Sequence, residues 1–124
     1  MSSLFFFCID LMLIIQKNIS LFPYNTFQID VKAKYFVEIS TVKELEELFT
    51  MEVFKQEKKL ILGGGANILF TGSFEGLVIK VGLKGIAPLH SENPPYPPLV
   101  KGAVYVKVAA GENWSDFVEY ANTH

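Results

Sequence analysis

Residues 60–70 read LILGGGANILF: an apolar run, three successive glycines, Ala66, Asn67 and a second apolar run. Glycine gives up more chain entropy on folding than any other residue, so a triplet between two apolar segments points to a backbone path that side chains would forbid. Either φ turns positive there or another group comes close to the main chain. Because the glycines follow the strand-like KLIL of residues 59–62, a turn at this place can aim several successive N–H groups into one concavity. Such nests bind anions, phosphate above all. A tight turn with no ligand is the plain alternative.

Working outward, Tyr35–Ile39 (YFVEI) is aromatic and β-branched and predicts a strand. Thr41 and Glu44 have the spacing of a capping box, and Val42, Leu45, Leu48, Phe49 and Val53 then recur at helical spacing. The expectation is one amphipathic helix over 41–56, its glutamates forming a solvated face near the positive end of the helix dipole. KLIL, read as a buried strand, completes a strand, helix, strand unit that ends in the glycines. Leu77–Val81 (LVIKV) predicts another strand, and Val104, Val106 and Val108 alternate with Tyr105 and Lys107 as in a strand with one face buried. Asn113 caps a last helix whose apolar face holds Trp114, Phe117, Val118 and Ala121. A helix that stops soon after it starts predicts a polypeptide that continues beyond His124. Four of the six prolines fall in SENPPYPPL (91–99), which predicts an extended surface loop and lacks the basic flanks of a polyproline ligand.

With 124 residues, half of them hydrophobic, the chain has enough apolar content for one core, whether alone or as a piece of a larger protein. Its net charge of −2, with no concentrated basic stretch, argues against nucleic acid as a partner. The single cysteine, Cys8, has no CxxC or Cys/His companions, so no metal site is expected and a reducing cytoplasm fits. The apolar stretch from Leu4 to Ile15 is shorter than the roughly 20 residues that span a bilayer, and Asp10 interrupts it, so no membrane span is expected. No Lys or Arg precedes Lys17, which speaks against a signal peptide. Two readings of this extension, residues 1–18, stay open: a translation start at Met12, or an apolar arm that packs on a partner or on the rest of the protein.

Known phosphate loops can be tested against 63–68. A Walker A loop ends in Gly-Lys-Ser/Thr, whereas this one continues Ala66-Asn67-Ile68 with no lysine. The dinucleotide fingerprint GxGxxG matches at Gly63 and Gly65 but meets Ile68 at the third glycine, and no acidic residue stands near Val81–Lys84 to hold a ribose. Both readings fail.

Together with PYNTFQID (23–30) and VAAGENWSDFV (108–118), LILGGGANILF resembles the N-terminal region of the UDP-N-acetylenolpyruvoylglucosamine reductases, also called UDP-N-acetylmuramate dehydrogenases. The three motifs stand in the family's order and at about its distances, from Ile19 to His124. The resemblance implies an α+β fold over 19–124, the truncated first part of a PCMH-type (vanillyl-alcohol-oxidase-like) FAD-binding domain. In it Gly63, Gly64, Gly65 and Ala66 present backbone N–H groups to the FAD pyrophosphate, and Asn67 its side-chain amide. The family usually has serine in place of Ala66 and glycine in place of Gln28, and its loop differs from the proline-rich 91–99. The resemblance further implies an oxidoreductase of peptidoglycan synthesis in which NADPH reduces the flavin and the flavin reduces the enolpyruvyl group of a UDP-sugar. The family's proton-donating serine, with its arginine and glutamate, lies beyond this segment, so no catalytic residue is assigned and the chain alone is expected to be inactive. Glu112 and Ser115 are explained by a helix start, and His90 and His124 as ordinary polar residues. A non-catalytic FAD-binding module and another PCMH-type flavin oxidoreductase are the alternatives.

Overall fold

The computed structural model describes residues 13–89 and 105–124. It divides into two units, Met1–Gly82 and Leu83–His124, each α+β in content. In the first unit four strands, β1 (Gln16–Ser20), β2 (Lys32–Ile39), β3 (Lys59–Leu62) and β4 (Phe74–Val81), form one sheet in the order β1-β2-β4-β3. β2 and β3 each run parallel to β4, and β1 pairs antiparallel with β2, from Gln16 opposite Phe36 to Ser20 opposite Lys32. The strand, helix, strand reading therefore holds with one addition: β4 inserts between the two strands of the unit. Its sequence is compatible with an interior place, because Leu77, Val78 and Ile79 are all buried, and a strand covered on both faces needs a continuous apolar run. β3 is an edge strand instead, with Leu62 buried but Ile61 72% exposed, which corrects the expectation that KLIL is buried throughout.

The capping box forms as predicted at the start of α1 (Val42–Thr50): Glu44 N–H donates to the Thr41 hydroxyl at 3.2 Å, and Thr41 N–H donates to the Glu44 carboxylate at 3.0 Å. The single helix expected over 41–56 is two, because Met51 turns extended (φ −75, ψ 142) before a short α2 (Glu52–Gln56). The Thr50 hydroxyl donates to Glu47 O at 2.7 Å and Met51 N–H to Leu48 O at 3.1 Å, local bonds that close the first helix. The expected apolar stripe is only partly buried. Leu48 is fully buried, while Val42 and Phe49 face outward, Phe49 in ring contact with Phe54 at 4.9 Å.

The core beneath the loops gathers Leu21, Ala33, Phe36, Leu62, Phe70 and Val78, with Tyr24, Ile29 and Ile68 packed on it. Burying each large apolar side chain contributes about 1.5–3 kcal/mol, so this cluster holds the segments before β2 and after β3 to one face of the sheet. Phe70 is buried in this core and Ile68 packs on it, while Leu69 between them is exposed.

In the second unit β5 (Ile86–Pro88) pairs antiparallel with β6 (Val106–Val108), and α3 (Trp114–Thr123) follows. The period-two pattern marks the strand, yet Val106 is half-buried and Val108 exposed; Val104 and residues 91–99 lie outside the described residues. Asn113 caps α3 by accepting Ser115 N–H at 2.8 Å. Trp114 and Phe117 pack ring on ring at 5.5 Å, but Trp114 remains 75% exposed, so the expected apolar face is only partly covered. Glu112 is not a helix cap: its carboxylate accepts Gly85 N–H at 2.7 Å and lies 3.5 Å from Lys84 Nζ. Among the described residues no helix is long and apolar enough to cross a membrane.

The Gly85 N–H bond, followed by the Lys84 charge, holds the Glu112 carboxyl below the ordinary glutamate value of 4.5. A depressed carboxylate contributes stability above its unfolded pKa and loses it as pH falls through the folded one. The Gly85 amide resonance is therefore expected to titrate with a midpoint below 4.5 in an NMR pH series. A midpoint at or above that value would contradict the contact.

Candidate functional site: an open glycine loop

Residues 63–73 carry the chain from the end of β3 back to the start of β4 without a helix. The three glycines of the triplet are not equivalent. Gly65 is buried at φ +72, and a Cβ there would sit 1.9 Å from Tyr24 O and 2.9 Å from Asn25 Cα. Both a left-handed backbone and close approach by another chain segment demand glycine at this position. Gly63 and Gly64 are exposed, and a Cβ added at either would meet nothing within 4 Å, so no part of the described chain accounts for their lack of a side chain.

The segment facing Gly65 is the PYNTF motif. Phe22–Tyr24 forms a single 3-10 turn, and Asn25, 6% exposed, braces the following loop by donating to Leu21 O (2.7 Å) and Ile29 O (3.1 Å) and accepting Ile29 N–H (3.0 Å). Thr26 N–H then donates to Gly65 O at 3.0 Å, with its hydroxyl 3.4 Å from the same oxygen. Sequence reading used this motif for its resemblance and missed its work. The signal was there, since an asparagine after Pro-Tyr is a side chain suited to bonding its own turn.

With Gly65 pinned through its carbonyl, the N–H groups of Gly64, Gly65, Ala66 and Asn67 make no hydrogen bond to any described residue. The run from Ile61 to Ile68 lines a cavity of about 390 Å³, and Ala66 and Asn67 are exposed beside it. Lys80 of β4, opposite Leu62 in the ladder, donates through Nζ to Gly63 O at 2.7 Å. All five residues expected to hold a cofactor, Gly63 to Asn67, thus share one concave stretch of main chain, and a cation missed by the sequence reading stands beside it.

No group of three or more His, Cys, Asp or Glu side chains among the described residues is placed to hold a metal ion. His124 stacks on Tyr120 at 4.3 Å; His90 and Cys8 lie outside the described residues.

No protein-family profile matches the chain. Individual relatives do. The chain is 42% identical over 104 residues to a UDP-N-acetylenolpyruvoylglucosamine reductase of Flavobacterium johnsoniae, covering 84% of this chain and 28% of that protein. It is 37% identical over 106 residues to the reductases of that name from Chromobacterium violaceum and Vibrio vulnificus, covering 86% of this chain and 29% and 28% of theirs. Over this stretch the chain belongs with the UDP-N-acetylenolpyruvoylglucosamine reductases. It spans just over a quarter of the length of these curated reductases. Departures from the reductase pattern now acquire physical meaning. Gln28, where the resemblance implies glycine, lies at φ +55, a left-handed conformation that costs a residue with a side chain about 1–2 kcal/mol.

Three variants check this geometry by denaturant unfolding. Gly65→Ala is expected to cost about 2–4 kcal/mol, from left-handed strain plus overpacking against Tyr24, whereas Gly63→Ala stays within about 0.5 kcal/mol. Gln28→Gly is expected to stabilise, by up to about 1 kcal/mol after glycine's own entropy cost. A destabilised Gln28→Gly variant would show that the side chain makes a compensating contact.

Proposed function

We propose that this chain is the FAD-binding portion of an NADPH-dependent reductase that converts UDP-N-acetylglucosamine enolpyruvate to UDP-N-acetylmuramate in cytoplasmic peptidoglycan synthesis. Residues 19–124 are then the N-terminal part of a PCMH-type FAD-binding domain. The observation that carries the reading is the set of unpaired amides from Gly64 to Asn67, opened at the end of a parallel strand and free of obstructing side chains. Ligands of open parallel sheets collect at such carboxyl ends, where successive N–H groups can face an anion.

The residues fit a diphosphate. Gly63 and Gly64 leave room for it at the main chain, Gly64, Gly65 and Ala66 offer N–H donors, and Asn67 adds an exposed amide. Ala66 lacks the hydroxyl of the family's serine, a loss of at most one hydrogen bond to a charged acceptor, about 1–3 kcal/mol. Its N–H is unaffected, so affinity falls without being abolished. Bound FAD would supply the hydride chemistry between NADPH and the enolpyruvyl double bond. The part played by the described residues is to grip and orient the cofactor through its phosphates; proton donation falls to residues elsewhere in a full-length reductase, and this chain alone is expected to be inactive.

An NMR titration of the chain with FAD detects even weak binding. The amides of residues 63–67 are expected to shift first, and Gly64→Ala, whose methyl meets nothing in the folded chain, is expected to weaken binding at least tenfold with the rest of the spectrum unchanged. Shifts that spare the loop, or equal affinity in the variant, would overturn the assignment.

A further inference from the structure

Lys80 presents a charge with no ion-pair partner among the described residues. Its two neighbours across the ladder are Leu62, which is buried, and Glu38, which lies directly opposite on β2 yet is not within ion-pair distance. The side chain instead reaches along the end of the sheet to Gly63 O, 2.7 Å away, one residue before the run of unpaired amides. A bond to one carbonyl occupies one of the three ammonium donors. The remaining two stand beside a loop whose Gly64, Gly65, Ala66 and Asn67 N–H groups make no hydrogen bond to any described residue. A lone turn has no need of so much donor capacity without an acceptor, and an ammonium spent on a single carbonyl at the surface gains little stability.

We propose that Lys80 is a phosphate-binding residue of this chain: its ammonium acts as the counter-charge for the diphosphate of the bound dinucleotide while bracing Gly63. The proposal rests on the FAD reading above and extends it to a residue outside the glycine motif. In a P-loop a lysine following the glycines in sequence supplies the charge. Here the next strand supplies it, because the parallel pairing of β3 and β4 brings Lys80 level with Leu62 at the mouth of the loop. A point charge of this kind supplements amide donors that have no net charge, which matters most in a loop where Ala66 contributes no hydroxyl.

The test titrates the chain with FAD and, separately, with riboflavin, which lacks the diphosphate, at about 20 mM and about 500 mM salt. The Debye length falls from roughly 20 Å to roughly 4 Å between these conditions, so a charge interaction is separated from a loss of packing. Lys80→Met is expected to bind FAD about tenfold more weakly than the parent at low salt and within about threefold at high salt, with riboflavin binding unchanged; Lys80→Arg is expected to stay within about threefold throughout. If Lys80→Met binds FAD as the parent does at low salt while Gly64→Ala still loses binding, Lys80 is a structural brace only and the proposal falls, with the FAD assignment intact. A loss equal at both salt concentrations, or shared by riboflavin, also overturns it. If Gly64→Ala leaves FAD binding intact as well, the underlying assignment falls. A Lys80→Met variant that fails to fold is replaced by Lys80→Gln, judged by the same criteria.

Discussion

The structure turns on the contact between Gly65 and the carbonyl of Tyr24. Two segments meet there backbone to backbone, Thr26 and Gly65 being 39 positions apart in the chain, at a separation that leaves no volume for even one methyl group at Gly65. The contact is held from both sides: Asn25 bonds its own loop into shape from within the core, and Thr26 donates to the Gly65 carbonyl. Removing the Asn25 side chain would leave the Leu21 and Ile29 backbone groups it bonds without partners, a penalty larger than the net worth of the bonds themselves. The geometry of the glycine loop is therefore set from outside the loop, by a motif near the start of the chain.

That division of labour explains why three adjacent glycines are not equivalent. One answers to the interior of the protein, being strained and enclosed; the other two answer to nothing inside the described chain. Excess backbone freedom at Gly63 and Gly64 lowers stability through the unfolded state, and no packing among the described residues accounts for it. The carboxyl ends of three parallel strands converge near this place, with Ile39 level with Val81 and Leu62 level with Lys80. Sheet topology thus delivers both an open N–H surface and a cation to one edge, a combination that a β-α-β unit with adjacent strands would have arranged differently.

The second unit shows the same economy on a smaller scale. The acidic residue of the AGENW motif accepts an amide hydrogen from Gly85 and faces Lys84, while the asparagine beside it caps the helix. A motif first noticed for its resemblance turns out to be a corner that ties the turn before β5 to the start of α3.

The sequence by itself determined the local features whose causes lie within a few residues. These are the Thr41–Glu44 capping box, the strands at YFVEI, KLIL and LVIKV, the Asn113 cap, and the glycine loop as the place to look for an anion site. Periodicity and capping are short-range physics, and they survive into the fold almost unchanged. Tertiary structure alone decided which strand stands in the middle, that β1 adds an antiparallel edge, that the long helix breaks at Met51, and that Gly65 and Lys80 acquire roles different from those of their neighbours. Each of these depends on what a residue meets across the sheet or across a turn, and such meetings are fixed by long-range packing that no window of adjacent residues contains.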